Sequence, residues 1–324
     1  EKRTFDLIQN MSMGWPSTMG ISPMLVNQGE IRNRGLELSA NWNDRIGKDF
    51  SYFVSGNFSW LKNWVSDIGV KDDNGNSGVW TDGTEFRNLF YVYQTAQGEP
   101  INSYYLIKTD GIFRSDEEAA AYTHKGERIQ PNAKAGDLKF VDFNNDGKIS
   151  DSDRQYLGNA GPKTTFSLSA GATWKDLSFN FMLQGVGGAQ AMNVAKYMTL
   201  SDVEGNFNRD SRILNAWSET NQGSDIPRLS KNDPNGNFST ASDWYLEDAS
   251  YLRLKNFTVS YDLTNILRKW QHLKSRNSRL MVYFSGENLF TITSYSGIDP
   301  EVGGWDAMKY PVSRTFSFGV KLTY

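Results

Sequence analysis

The sequence predicts an all-β fold, a transmembrane antiparallel β-barrel with long extracellular loops. Three observations carry this. Apolar and polar residues alternate strictly in several stretches of about ten residues, the length of a tilted membrane-crossing strand. The connections between those stretches alternate short and long, which sorts all long loops to one side of an antiparallel meander. Aromatic residues sit at the ends of the apolar stripes, where a membrane barrel places its girdles.

The last eleven residues show the pattern most cleanly. Phe316, Phe318, Val320, Leu322 and Tyr324 alternate with Thr315, Ser317, Gly319, Lys321 and Thr323. Upstream, residues 4–9 alternate weakly and a loop of residues 10–27 follows. From Ile31 to Trp42 the apolar set is Leu36, Leu38, Ala40 and Trp42, against Glu37, Ser39 and Asn41. A turn over Asn43–Lys48 leads to Tyr52, Val54, Gly56, Phe58 and Trp60. An irregular region is expected over residues 65–163. Alternation resumes with Phe166, Leu168, Ala170, Ala172 and Trp174, then a tight Lys175–Asp176 turn and Leu177, Phe179, Phe181 and Leu183, a hairpin signal. A second long region covers residues 187–248. Between Tyr251 and Leu263 the apolar parity switches near Lys255–Asn256, which predicts a β-bulge. A basic turn over residues 264–278 precedes Leu280, Val282 and Phe284, and a last loop spans residues 291–312. About eight strands result, so the chain is either a small barrel or part of a larger one. The orientation places Arg314 near the outer face, and Trp42, Tyr52, Trp174, Tyr261 and Tyr324 at the inner interface. Trp60, Phe166 and Tyr251 fall near the outer one.

Composition narrows the function. The 324 residues contain no cysteine, so thiol catalysis, thiolate metal sites and disulfides are excluded. The net charge of −3 provides no basic field for nucleic acid. No apolar run reaches the roughly 18 residues of a membrane helix. The chain opens in mid-pattern at Glu1-Lys2-Arg3, without a leader, as a fragment of a longer protein would.

The most specific local motif runs from Asp142 to Asp153. Oxygen ligands fall at the spacing of a calcium loop: Asp142, Asn144, Asp146, the Lys148 carbonyl, Ser150 directly or through water, and Asp153, with Gly147 at the sharp turn. Asp153 stands where the longer Glu is usual, and no long helices flank the loop. Structural Ca²⁺ pinning an extracellular loop is the expectation; a surface turn rich in Asn, Asp and Gly is the alternative.

Taken in order, several motifs resemble those of the SusC-like TonB-dependent transporters of Bacteroidetes outer membranes, over nearly the whole chain. They are Asn33-Arg34-Gly35-Leu36-Glu37, Gly98-Glu99-Pro100, Asp110-Gly111-Ile112-Phe113, and Gly136-Asp137-Leu138-Lys139-Phe140 running into the acidic loop. Ala249–Asn256, Asn288-Leu289-Phe290-Thr291, Tyr295–Glu301, Tyr310-Pro311 and the terminal strand continue the series. The chain departs from the pattern at Tyr324, where Phe is common, and at Tyr104-Tyr105-Leu106, which lacks an expected glycine. The resemblance implies that residues 1–324 are the C-terminal part of a barrel of about 22 strands, with the plug and earlier strands outside this chain. It implies TonB-dependent uptake of oligosaccharides or peptides, a SusD-like surface lipoprotein as lid, and coupling to TonB-ExbB-ExbD through the missing N-terminal region.

Substrate contacts are expected from aromatic and planar polar side chains in the long loops: Trp80, Phe86, Arg87, Trp217, Trp244 and Trp305. For each, loop packing or contact with the lid protein is the plainer alternative. Two other classes remain open, an outer-membrane barrel enzyme and a soluble glycan-binding β-sandwich. For an enzyme the two histidines are poorly placed, with His124 in a long loop and His272 in a short turn on the opposite side.

Overall fold

Eight strands carry the period-two pattern and pair with one another in sequence order. They are β1 (Lys2–Phe5), β2 (Glu30–Ile46), β3 (Phe50–Asp67), β4 (Thr164–Trp174), β5 (Leu177–Gly187), β6 (Tyr251–Asp262), β7 (Arg279–Glu287) and β8 (Thr315–Thr323). All pairings between them are antiparallel. The structure is a computed structural model describing residues 1–11, 24–69, 78–80, 85–86, 90–203, 208–269 and 278–323. Tyr324 and His272 lie outside the described residues.

The register puts every apolar stripe on one face. Trp42, Val54, Ala170, Phe181, Phe257, Gly286 and Phe316 form one cross-strand row through seven strands. On the other face Asn41, Ser55, Ser169, Met182, Asn256, Glu287 and Thr315 form the adjoining row. The apolar face is open: Phe318 is 82% exposed, and Leu38, Trp42, Phe166, Trp174 and Val320 are also exposed. Each such side chain forgoes about 1.5–3 kcal/mol when left in water, so a face this wide demands an apolar surround.

Local chemistry fixes this register. Lys175, at φ 54°, and Asp176 close the β4–β5 hairpin in two residues, as their spacing predicts. In the β5–β6 ladder Met182 faces Asn256 and Leu183 faces Leu254, so Lys255 is the extra residue of a bulge. That bulge keeps Leu252 and Leu254 on the face shared by Phe257, Val259 and Tyr261. Glycines admit rings laid across the ladder: a Cβ on Gly185 would meet Phe166 at 2.0 Å, and one on Gly319 would meet Tyr283 at 2.3 Å. Among the described residues, β1 pairs only with β2 and β8 only with β7, so the sheet has two open edges.

Several expectations need correction. The Asn43–Lys48 turn is narrower, because β2 continues to Ile46 and β3 begins at Phe50. The basic turn opens with an α-helix, Thr264–Lys269. Tyr251 is not in the outer girdle. It precedes the bulge with the opposite parity to Leu252, is 7% exposed, and lies against the Arg253 guanidinium at 5.1 Å. The long connections are not irregular either. They contain a four-stranded sheet (Gly78–Trp80, Tyr93–Ala96, Ser103–Ile107, Arg154–Asn159) and a three-stranded one (Gln190–Asn193, Leu246–Asp248, Trp305–Asp306). Strands of two to six residues carry too little periodicity to be seen, and their partners are far away in sequence.

These connections form a folded crown at one end of the wall and hold nearly all the buried hydrophobic residues described. Its largest cluster joins Val92, Tyr93, Tyr104 and Leu106 to Met192, Tyr197, Phe238 and Tyr245, with Trp305 packed against them.

Candidate functional site

The crown is stapled by polar side chains, many of them in the motifs named above. The Tyr93 and Tyr104 hydroxyls lie 3.0 and 2.7 Å from the Gly304 carbonyl, tying the β3–β4 connection to the β7–β8 one. Burial, with the neighbouring Tyr93, pushes the Tyr104 hydroxyl far above the usual phenol range. The fully buried Asp137 carboxylate receives Arg228 Nη2 at 2.8 Å and Asn237 Nδ2 at 2.8 Å, joining the β3–β4 connection to the β5–β6 one. On the polar face at the rim of β6, the Arg253 guanidinium, 3% exposed, meets Asp299 at 2.6 Å and Glu301 at 2.8 Å. Burial works against the Asp299 charge, but the Glu301 N–H and the Arg253 guanidinium outweigh it and hold the carboxyl below its usual 3.8.

A recess of about 420 Å³ opens where the β5–β6 and β7–β8 connections meet. Trp244, Lys196, Arg212, Asp225, Glu247 and Ser296 line it. The Lys196 ammonium stands 4.8 Å from the Trp244 ring centre and 2.7 Å from Glu247. Trp244 Nε1 donates to the Asp225 carbonyl at 3.1 Å, and Ser296 donates its N–H and hydroxyl to Glu247. Burial alone would raise the Glu247 carboxyl, but Lys196 and Ser296 bring it below the usual value. An indole edge beside fixed charges and a hydroxyl can give apolar contact to a ligand and hydrogen-bond its polar substituents.

The structure treats the other expected contacts differently. Trp217 is 8% exposed and belongs to a cluster with Ile107, Ile112, Leu138 and Phe140. Trp305 lies in a short strand, with its ring 6.4 Å from Tyr93. Trp80 and Phe86 lie in short strands whose side chains are not described, and Arg87 lies outside the described residues. Of the described candidates, then, only Trp244 lines this recess. Lys196, Arg212 and Glu247 were missed, since nothing in the linear sequence marks them as neighbours of Trp244.

The acidic loop turns sharply, with Gly147 at φ 89° and Asn145 at φ 58°. Asp142 accepts the Asp146 and Gly147 N–H groups at 3.1 and 2.9 Å. Asp153, fully buried, accepts those of Phe143, Asn144 and Ser150. The donor set is hard oxygen, as Ca²⁺ requires. The fit is partial, because among the described residues no three His, Asp or Glu side chains are gathered as metal ligands. His124 packs against Gly147, and its Nε2 is buried without a hydrogen-bond partner.

A seven-strand ladder with one continuous apolar face, topped by a folded crown, defines a β-barrel wall. No protein-family model matches the chain. Known proteins do. TonB-dependent receptor P3 of Formosa agariphila is 28% identical over 323 residues, 95% of this chain and 30% of that protein. TonB-dependent receptor SusC of Bacteroides thetaiotaomicron is 28% identical over 324 residues, 100% of this chain and 29% of that protein. The structure of the RagAB peptide transporter superposes with a TM-score of 0.73 and 25% identity, covering 99% of this chain and 32% of that one. In the open-open state of the RagAB peptide importer the TM-score is 0.74. The chain is thus related along its length to the SusC-like TonB-dependent receptors. It spans about a third of the length of the curated relatives it matches.

Proposed function

We propose that this chain is the C-terminal part of the barrel wall and the outer crown of a TonB-dependent importer in a Gram-negative outer membrane. The importer takes up oligosaccharides or peptides, with a SusD-like lipoprotein seated on the crown and TonB-ExbB-ExbD supplying energy through the region before this chain. The observation that carries the reading is the continuous apolar face on β2–β8, with every long connection on one side of it. Lipid covers that face, the hydroxyl-rich face lines the lumen, and the crown receives substrate at the Trp244 recess. The relatives are named receptors and transporters, which favours transport over hydrolysis.

The test is uptake. Cells whose only receptor of this type contains this chain should accumulate labelled substrate in a TonB-dependent manner, and Trp244→Ala should lower uptake at limiting concentration while leaving the receptor in the outer membrane. Unchanged uptake by the variant would remove Trp244 from the substrate path. Uptake independent of TonB would remove the importer reading.

Ca²⁺ in the Asp142–Asp153 loop belongs to the same proposal. Asp142, Asn144, Asp146, the Lys148 carbonyl, Ser150 and Asp153 would hold it, with a structural role. Terbium luminescence should titrate this loop and be lost in Asp146→Ala, an exposed position where folding is spared. A signal that persists in the variant, or none in the parent, contradicts it.

A further inference from the structure

A second recess, of about 750 Å³, lies between the β3–β4 and β5–β6 connections, and its charge is one-sided. Arg128, Lys134, Arg228 and Lys231 line it against one carboxylate, Asp116. The four cations are not equally committed. Arg228 is engaged with the buried Asp137 at 2.7 Å, and Arg128 gives one N–H to the Ala133 carbonyl at 2.6 Å. Arg128 Nε is buried with no acceptor, and so is the Ser230 hydroxyl on the same wall. The Lys134 and Lys231 ammoniums have no ion-pair partner among the described residues. Asp116 is itself occupied, accepting the Ala135 N–H at 2.8 Å. Arg128 and Ser230 both line the recess, which carries excess positive charge, and each holds a buried donor left without an acceptor.

We propose that this recess binds carboxylate groups of an oligomeric ligand. A guanidinium offers a planar fork that matches a carboxylate in two parallel hydrogen bonds, and the two free ammoniums supply point charges beside it. Asn132 Nδ2 donates to the Pro234 carbonyl at 3.0 Å, fixing the two connections relative to each other, so the cations are presented on a set frame. The chemistry fits acidic peptides and uronic-acid oligosaccharides alike. The inference rests on the importer reading only in taking the ligand to be an oligomer.

Binding is measured on the purified protein in detergent micelles, so a failure of uptake in cells leaves the outcome readable. The probes are tetraglutamate, tetragalacturonate and neutral maltotetraose, each followed by calorimetry against the parent and the Lys134→Gln/Lys231→Gln double variant. Both lysines are exposed, so the variant keeps its fold. At least one acidic probe should bind, and the double variant should weaken it about tenfold while leaving any maltotetraose binding unchanged. Which acidic probe binds identifies the source of the carboxylates. Failure of both acidic probes to bind, or equal binding by the double variant, overturns the proposal.

Discussion

Arg253 shows how a single residue links sequence motif to architecture. It lies in the Ala249–Asn256 motif, and its partners Asp299 and Glu301 lie in the Tyr295–Glu301 motif. What looks in sequence like two separate signatures is one ion network holding the last long connection to the rim of β6. Removing one partner of a buried pair leaves the other uncompensated. Arg253→Gln should therefore cost about 3 kcal/mol, read as a lower urea midpoint and faster proteolysis within residues 291–312. Unaltered proteolysis there would show that the network does not hold the loop. Two carboxylates of the crown, one in this network and one in the Trp244 recess, give a pH dependence. Asp299 and Glu247 are both held below their usual values of 3.8 and 4.5. Their contribution is thus full above those values and is lost as pH falls through the lowered folded-state ones. Limited proteolysis should find the crown intact at pH 5 and loosened as the pH falls below 3.8. Loosening already at pH 6 would contradict the assignment.

At the scale of the strand, side-chain parity decides the outcome. Phe318 and Ser317 are neighbours in β8, yet they belong to opposite faces. Phe318→Arg should cost about 2–4 kcal/mol in the bilayer, whereas Ser317→Arg on the lumen face should cost little. Heat-modifiable migration in gels reports the folded fraction of each; equal fractions would contradict the face assignment. The bulge gives a stricter form of the same rule. Deleting Lys255 restores simple pairing but turns Leu252 and Leu254 inward and Arg253 outward, toward lipid. Folded yield should fall far more than for Lys255→Ala, which keeps the register; equal yields would show that the bulge does not set the face.

At the scale of the molecule, the wall was legible and the crown was not. Strands β2 to β8 announce themselves because period two persists for nine to eighteen residues and partners are consecutive in sequence. Even the Lys255 bulge was visible, as a switch of parity. The crown is built from contacts such as Met192 with Trp305, which no local pattern reveals. For that reason Trp217 and Trp305 looked in sequence like Trp244, while the structure gives one to a hydrophobic cluster and sets the other in a strand beside Tyr93. The recess residues Lys196 and Glu247 come together only through the fold.

One face of this wall meets lipid and the other meets water. The chain contains no cysteine, so single cysteines can be introduced one at a time from Thr315 to Thr323 and spin-labelled in bilayers. Accessibility to oxygen should peak at positions 316, 318, 320 and 322, and accessibility to a water-soluble nickel chelate at 317, 319 and 321. Uniform access by the nickel chelate, or no alternation along β8, would contradict the account.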